Sequence, residues 1–343
     1  MSESRISVIM PCYNLGAFLD EAVESALAQD HHNLEIIIVN DGSTDPATNR
    51  LLADYRRPHT RVLHSENGGP ARARNVAIEH ATGDYLCALD ADDKLAPGYF
   101  TKAAAILDAD PSITFVSSWL QMFGDEDTLW KQDRCDLPTL LAECTVCTAA
   151  LVRRPAVVSV GGFDAALPAN GYEDWDLWLS LVERGFRGVI LPEVMFYYRR
   201  RAGSVSTVAC EGETHLTLWR ALIAKHRESY GRHLFEVLHR KEGEISEWLQ
   251  SARHLEGLVD DHLANLFELR QKELDRLQKK LDLHVRSSAP DTRIGDLEAA
   301  LDQARRDIDL IRQSTSWRVT APIRFTRNVI RRVQGLLGSK DTT

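Results

Sequence analysis

The sequence predicts an α/β protein whose central sheet is mainly parallel, with helices on both faces. Short apolar runs alternate with helical patterns along the first 120 residues, beginning with RISVIM and then LGAFLDEAVESALAQ, whose apolar residues repeat along one helix face. The next run, LEIIIVN, is apolar almost throughout, which is typical of a strand buried on both sides. Strands that alternate with helices are joined by right-handed crossovers, so we expect them to lie parallel in one sheet.

Further segments continue this alternation. TRVLHS predicts a third strand and ARARNVAIEHA a helix that ends at Gly83, while DYLCAL predicts a fourth strand, followed by a helix after Pro97. Next, ITFVSSWLQMF predicts a strand, TVCTAALVRRPAVVSVGGFD a strand and a short helix, and NGYEDWDLWLSLVERGF a helix that ends at Gly185. The segment GVILPEVMFYYRRRAGSVS predicts a strand that leads into a basic, serine-containing loop.

Composition indicates a water-soluble protein of a reducing compartment. The 343 residues are 44% hydrophobic and 27% charged, and no apolar run approaches the roughly 20 residues that cross a bilayer. The N-terminus has neither a basic region nor an apolar signal core, so we expect a cytoplasmic protein. Six cysteines are scattered along the chain. The lone C-x-x-C of Cys144 and Cys147 favours buried thiols over a metal or redox pair, because no second pair accompanies it.

Beyond Thr214 the strand signal ends and a helical extension follows. Within it, apolar residues at alternating three- and four-residue steps predict a coiled-coil seam, through which the chain would form a homo-oligomer. The alternative is a single helix that lies on the α/β body. We therefore divide the chain into an α/β domain (1–235), a helical extension (236–313) and a basic tail (314–343). The seam residues are Ile294, Leu297, Leu301, Ala304, Ile308 and Ile311.

The tail differs in charge from the rest of the chain. It carries six basic residues and one acidic residue, a charge of +5, whereas the whole chain carries −9. An acidic body with a basic tail argues against nucleic-acid binding and indicates contact with something anionic at one end. An amphipathic helix with arginines beside its apolar face would lie in the interface of an anionic membrane. The alternative is a tail packed against the chain's own acidic body. The apolar face consists of Ile323, Thr326, Ile330, Val333 and Leu337.

Polar residues follow each of the first four predicted strands, in the loops PCYN, DGSTD, ENGGPARARN and DADD. Ligands of such sheets bind beyond the carboxyl ends of the strands. None of the loops has the spacing of a dinucleotide or P-loop phosphate site, and the aspartates instead suggest a diphosphate held through a divalent cation. Asp41, Ser43 and Asp45 are also good turn and N-cap residues. Capping explains any one loop but explains poorly why four successive loops are equipped in this way.

These motifs resemble, in order, those of family 2 glycosyltransferases of the GT-A fold: SVIMPCYN, IIIVNDGSTD, ENGGPARARNVAI, LDADD, GGFD, YEDWDLWL and YYRRRAGSVS. The resemblance covers residues 5–206, and STSWRVTAPIRFTRN more loosely resembles a tail of bacterial cell-surface polysaccharide glycosyltransferases. It implies a GT-A, Rossmann-like sheet and an inverting enzyme that moves a sugar from a nucleotide-diphosphate sugar to a hydroxyl of a glycan or lipid-linked acceptor. The expected place is the inner face of the plasma membrane, in O-antigen-like or capsule-like synthesis.

The resemblance also implies a donor site at the strand ends. Arg74 would lie beside the nucleotide, with Arg72 as the weaker candidate. For either arginine, the alternative is an exposed helix residue. Asp41 would accept hydrogen bonds from the base or ribose. The residues that would hold the nucleoside are Pro11, Tyr13, Asn14 and Asp41.

In the same family pattern, Asp90, Ala91 and Asp92 form the D-x-D motif. Asp90 would lie near the ribose, and Asp92 would bind the Mg²⁺ or Mn²⁺ that bridges the diphosphate. Glu173 and Asp174 match the family's E-D pair, with Asp174 as our choice of catalytic base and Glu173 as the second candidate. The alternative is that both merely stabilise the dipole of the helix that they begin.

The sequence departs from the family pattern after the last strand. Many members have a histidine that completes the metal coordination within Y-R-x-H-x-x-S, and this chain has Arg201 at that position. A guanidinium has no lone pair to offer a metal, but it can donate two hydrogen bonds to a diphosphate. We therefore predict weaker metal affinity, with Arg201 reaching the diphosphate from a mobile loop. The alternative is that Arg199, Arg200 and Arg201 form a solvated basic run.

Other functions remain open at this point. The chain could instead have a function that is not enzymatic, as a catalytically inactive GT-A module that serves as a coiled-coil scaffold in a polysaccharide assembly complex. A sugar-phosphate nucleotidyltransferase is disfavoured, because its glycine-rich, basic N-terminal loop is missing. A processive membrane synthase is disfavoured by the lack of membrane-spanning runs.

Overall fold

The computed structural model describes residues 4–201, 204–205, 209, 212–286 and 293–313. The chain divides into two compact units, residues 1–241 and residues 242–343. The predicted membrane-binding tail, 314–343, lies outside the described residues. No described helix combines the length and the apolar composition that would let it cross a membrane.

The first unit is organised around one mixed sheet, which has nine strands among the described residues. The strands are β1 (Ile6–Cys12), β2 (Leu34–Asp41), β3 (Thr60–Ser65), β4 (Tyr85–Ala88), β5 (Lys94–Leu95), β6 (Ile113–Gly124), β7 (Leu129–Trp130), β8 (Leu151–Arg153) and β9 (Arg187–Arg200). Their order in the sheet is β3-β2-β1-β4-β8-β6-β9-β5, and β7 pairs with β6. Pairing is parallel from β3 to β4 and between β6 and β9, whereas β8, β5 and β7 run antiparallel to their neighbours. The predicted α/β sheet is thus confirmed, with its first four strands parallel as expected.

Helices cover both faces of the sheet. Every residue of β1 and β2 is buried, as the continuous apolar run of β2 predicts, so neither face of the central strands meets solvent. The helices are α1 (Gly16–Leu27), α2 (Pro46–Ala53), α3 (Gly69–His80), α4 (Tyr99–Ala109), α5 (Leu137–Ala142), α6 (Arg154–Val160), α7 (Glu173–Glu183), α8 (Gly212–Lys225), α9 (Arg227–Arg232), α10 (Leu234–Arg286) and α11 (Arg293–Gln313).

Some elements carry too little periodicity to predict from the sequence. Helix α2 was not predicted, although its cap was: the Asp45 carboxylate accepts the backbone N–H groups of Ala47 and Thr48 at 3.2 and 2.8 Å, and Pro46 opens the helix. Helix α5 and the two-residue strands β5 and β7 were also missed. Each is shorter than the window over which a hydrophobic period can be recognised.

In the second unit, α10 and α11 pack as an antiparallel pair. Arg270 of α10 lies 3.3 Å from Asp307 of α11, and the Arg312 guanidinium lies 5.4 Å from the centre of the Phe267 ring. The predicted seam residues Leu301, Ala304 and Ile308 are buried. The same two helices expose other large apolar side chains, among them Leu269, Leu283 and Leu310, and the coiled-coil homo-oligomer stays a prediction.

Candidate active site

The D-x-D loop follows β4 and is held by β9. Ala91 and Asp93 are buried, whereas the carboxylates of Asp90 and Asp92 keep part of their surface exposed. Arg199 braces this loop: its backbone N–H donates to Asp93 at 2.7 Å, and its Nε donates to the backbone carbonyl of Asp92 at 2.8 Å. The sequence did not identify Arg199 as a site residue. The only signal was its place in a run of three arginines.

Arg74 lies between two carboxylates that are distant in sequence. From α3 it donates to Asp90 at 2.6 Å and to Glu173 at 2.7 Å, and its side chain is 3% exposed. Its guanidinium also lies 5.2 Å from the centre of the Phe163 ring. Burial alone would lower the pKa of Arg74, but the charges of Asp90 and Glu173 outweigh burial and raise it. Arg74 therefore joins the D-x-D loop to the start of α7. Arg72, in contrast, is exposed.

Helix α7 begins with the two candidate bases, and their environments differ. Glu173 is buried and doubly engaged, since it accepts from Arg74 and, at 2.8 Å, from the backbone N–H of Gly171. Asp174 is half-buried and accepts from the Thr148 hydroxyl and, at 2.8 Å, from the backbone N–H of Trp175. Burial, together with the charge of Glu173, raises the pKa of Asp174. Of the two carboxylates, Asp174 is thus the more accessible one. No sequence pattern indicated that Thr148 contacts Asp174, because this contact depends on tertiary packing.

A second charged cluster contacts α7 through Asp176 and Glu183. The buried carboxylate of Asp176 lies 3.0 Å from His226 Nε2 and 2.8 Å from Lys225 Nζ. The other imidazole nitrogen lies 2.8 Å from Glu183, and Lys225 also contacts Asp164 at 2.6 Å. Burial opposes the charge of His226, but its hydrogen bonds to Asp176 and Glu183 prevail and raise its pKa from 6.5 to about 9. This cluster therefore ties α7 to the end of α8.

The pKa of His226 predicts a pH-dependent stability. The pKa of His226 in the folded protein lies above its ordinary value, so the protonated imidazole stabilises the fold. This stabilisation is fully present below pH 6.5 and is lost as the pH rises through about 9. We expect His226→Gln to lower the free energy of unfolding by about 3 kcal/mol at pH 6, since each pKa unit corresponds to ~1.4 kcal/mol, and by much less at pH 10. Urea unfolding at both pH values measures this. His32 is exposed, so His32→Gln serves as the control. If His226→Gln lowered the free energy of unfolding equally at both pH values, the prediction would be wrong.

Three of the predicted nucleoside residues lie at the end of β1 and in the loop that follows it. Pro11 is buried within β1, and Tyr13 is 43% exposed. Asn14 has a left-handed backbone, with φ of 57°. Its side-chain oxygen accepts the backbone N–H groups of Thr44 and Asp45, both at 2.8 Å, and its amide donates to the Thr44 hydroxyl at 3.0 Å. Asn14 thus joins the loop after β1 to the loop after β2, while Tyr13 offers a ring to a ligand.

Asp41, the fourth predicted nucleoside residue, ends β2 and is buried. Its two carboxylate oxygens accept the backbone N–H groups of Gly68 and Gly69 at 2.9 Å each. These glycines lie at the start of α3, so the carboxylate satisfies free N–H groups of that helix. A nucleoside would have to use the remaining lone pairs of Asp41.

Arg201 directly follows β9 and pairs with the predicted metal ligand. Its Nε donates to Oδ2 of Asp92 at 2.9 Å, with side chains that are 35% and 13% exposed, respectively. Among the described residues, no three His, Cys, Asp or Glu side chains are placed to hold a metal ion together. Asp92 supplies the oxygen chemistry that Mg²⁺ and Mn²⁺ prefer, so the residues fit a cation whose other ligands come from a bound diphosphate and water.

Comparisons with known proteins agree with the strand-end motifs. The model of Glycosyl transferase family 2 matches residues 7–155, which contain the loops that follow the first four parallel strands. The putative glycosyltransferase EpsE of Bacillus subtilis (strain 168) is 30% identical over 206 residues, covering 58% of this chain and 74% of EpsE. The chain belongs to family 2 of the glycosyltransferases.

Other relatives and structures extend this assignment. The uncharacterized protein y4gI of Sinorhizobium fredii is 32% identical over 221 residues, which cover 59% of this chain but only 23% of y4gI, so the chain spans less than a quarter of that relative. The crystal structure of S. aureus TarS 1-349 in complex with UDP-GlcNAc superposes with a TM-score of 0.53 at 22% identity, covering 64% of this chain and 66% of TarS 1-349. This likeness shows the GT-A fold, which confirms the predicted fold class.

Proposed function

We propose that this chain is a metal-dependent, inverting glycosyltransferase that moves a sugar from a nucleotide-diphosphate sugar to a hydroxyl of a glycan or lipid-linked acceptor. The observation that supports this most is the position of Arg74. It joins Asp90 of the D-x-D loop to Glu173, so Asp174, the next residue, lies at the same edge of the sheet as the donor loop. A donor held by the loop and an acceptor activated at α7 would meet there.

Asp174 is the proposed general base. It would take a proton from the acceptor hydroxyl as that oxygen attacks the anomeric carbon opposite the leaving diphosphate, which inverts the configuration. Thr148 and the backbone N–H of Trp175 orient its carboxylate, so the oxygen that receives the proton is fixed before the acceptor binds. Glu173 is the second candidate. Its two hydrogen bonds and its burial suit it better to holding Arg74.

The donor would lie along the loops after β1, β2 and β4. Tyr13 would contact the nucleoside together with Pro11, Asn14 and Asp41, and Asp90 would lie near the ribose. Asp92 would hold Mg²⁺ or Mn²⁺ together with the diphosphate. A bound cation would supply Lewis acidity that stabilises charge on the departing nucleotide diphosphate. Arg201 would add two charge-assisted hydrogen bonds to the same diphosphate.

The cellular setting is also a proposal. We infer a part in bacterial surface-polysaccharide synthesis, with the chain held at the inner face of the plasma membrane by its tail, 314–343, and assembled as a homo-oligomer. Support comes from the sequence alone: STSWRVTAPIRFTRN loosely resembles a tail of bacterial cell-surface polysaccharide glycosyltransferases, and the tail is basic and amphipathic.

A donor panel tests the proposed activity. Purified full-length chain is incubated with UDP-, GDP-, dTDP- and CMP-linked sugars and with lipid-linked acceptors, in Mn²⁺, Mg²⁺ or EDTA, and nucleotide release is measured. UDP-GlcNAc is the first donor to test, because TarS 1-349 binds it within the same fold. Proton NMR of the product gives the anomeric configuration. Retention would contradict the inverting step, and absence of turnover with every donor would favour the inactive scaffold.

The raised pKa of Asp174 predicts the acidic limb of the pH profile. The base must be ionised to accept a proton, so kcat/KM should fall as the pH decreases through the pKa of Asp174. Because burial raises that pKa, the fall should begin at a higher pH than the value of about 4 for an ordinary aspartate. Initial rates between pH 4 and 9, with metal held saturating, give the profile. A profile that stays flat down to pH 4 would argue against this environment for the base.

A further inference from the structure

The ion pair between Arg201 and Asp92 occupies the position that the proposed function gives to the metal. Oδ2 of Asp92 accepts from Arg201 at 2.9 Å. A divalent cation binds a carboxylate oxygen at roughly 2.0–2.2 Å, so a cation on this oxygen would lie within a few ångströms of the guanidinium. Two positive groups so close repel each other, and the partly buried setting screens this repulsion less than bulk water would.

We propose that Arg201 and the divalent cation exclude each other at Asp92, so that the cation binds only together with the donor diphosphate, onto which Arg201 then moves. The proposal rests on the proposed glycosyl transfer and adds the order in which its ligands bind. Arg201 neutralises Asp92 in this structure, and the described residues offer a cation no set of three side-chain ligands. A diphosphate supplies both the missing oxygens and the negative charge that allows a cation and a guanidinium to lie side by side.

Arg201 is more exposed than the two arginines that precede it, whose side chains are 16% and 24% exposed. Arg199 is fixed by its bond to the Asp92 carbonyl and by the Phe123 ring, whose centre lies 4.3 Å from its guanidinium. The Arg201 side chain is 35% exposed, and its guanidinium lies 5.9 Å from the centre of the Phe18 ring. A rotation of this exposed side chain would bring Arg201 to a new partner, while Arg199 keeps the D-x-D loop in place.

This exchange makes the binding of metal and diphosphate cooperative. Each ligand removes the obstacle to the other: the cation displaces Arg201 from Asp92, and the diphosphate gives Arg201 a new partner. Coupling between two sites is reciprocal, and a typical coupling changes affinity by roughly 5- to 150-fold. Removing the Arg201 charge should therefore change two affinities in opposite directions, which a purely structural contribution of Arg201 would not do.

The test measures binding rather than turnover. Free Mn²⁺ is titrated against the nucleotide-free full chain and followed by electron paramagnetic resonance, and UDP and GDP are titrated calorimetrically in EDTA. We expect Arg201→Gln to bind Mn²⁺ roughly tenfold more tightly than the wild type without nucleotide, and the preferred nucleotide roughly tenfold less tightly without metal. Arg200→Gln is the matched control, since it removes a neighbouring arginine that pairs with Glu126 at 3.2 Å.

Further variants test whether the gain in Mn²⁺ affinity arises at Asp92. Adding Asp92→Asn to Arg201→Gln should abolish the gain in Mn²⁺ affinity, and Arg201→Lys, which keeps the charge, should retain wild-type Mn²⁺ affinity. Thermal melting checks the fold of each variant. Equal Mn²⁺ affinity of the wild type and Arg201→Gln would overturn the proposal, as would a gain that survives the loss of Asp92. Because no measurement depends on turnover, a failure of the proposed glycosyl transfer would be seen separately, in the donor panel.

Discussion

Asp174→Asn is expected to reduce glycosyl transfer by a factor of roughly 10²–10⁴, the usual contribution of a general base, while donor binding stays close to that of the wild type. The asparagine oxygen can still accept from Thr148 or from the backbone N–H of Trp175, so the start of α7 should keep its structure. What disappears is the ability to take the acceptor's proton. Single-turnover rates with saturating donor, together with calorimetric titration of the nucleotide, separate the two quantities.

Glu173→Gln is the informative control for this prediction, because it changes the neighbouring carboxylate. Glu173 is buried and paired with Arg74, so its replacement leaves a buried guanidinium with one charged partner instead of two. We expect this variant to lose several kcal/mol of stability and to melt at a lower temperature, whereas Asp174→Asn should not. If Asp174→Asn lost donor binding, Asp174 would not act only on the acceptor. If it retained full activity, Asp174 would not be the base.

The sequence predicted the sheet and the positions of its functional loops well, for a physical reason. Strands β1 and β2 are interior strands that are buried on both faces, and LEIIIVN shows the continuous apolar run that this requires. Parallel strands then place their carboxyl ends at one edge, which made Asp41 and Asp90 candidate site residues before their surroundings were known.

The partners of these residues could not be read from the sequence. Arg74 and Glu173 are separated by 99 positions and meet only because α3 and the start of α7 pack together. On α3 alone, Arg74 is equally compatible with a solvent-exposed face or a nucleotide contact. The buried Asp176–His226 contact, which joins α7 to the residue after α8, likewise depends on tertiary packing. Patterns identify which element carries a residue, whereas contacts between elements are decided by the fold.

The contacts of the three consecutive arginines could not be predicted from the sequence either. Alternation along β9 places neighbouring side chains on opposite faces of the sheet. Arg199 contacts the D-x-D loop and Arg200 pairs with Glu126. Arg201, just beyond the strand, lies at Asp92. The sequence favoured Arg201 through its place in the family pattern and gave no reason to separate Arg199 from Arg200, because the register of β9 against its neighbours was not known.

Asp92→Ala is expected to reduce transfer by roughly 10³-fold or more, because several kcal/mol of charge stabilisation are lost with the metal and each ~1.4 kcal/mol is a factor of ten in rate. The melting temperature should change little. The Asp92 carboxylate keeps some contact with solvent, its partner Arg201 is 35% exposed, and Arg199 holds the loop through the backbone carbonyl of residue 92, which the substitution keeps. Asp93→Ala is the contrasting variant: Asp93 is buried and its carboxylate accepts the backbone N–H of Arg199, which alanine cannot replace, so this substitution should lower the melting temperature. The measurements are kcat/KM at saturating Mn²⁺ and thermal melting of both variants. Near-normal activity of Asp92→Ala would mean that the arginines around the loop stabilise the diphosphate without a cation on this carboxylate, and metal dependence would then have to be withdrawn.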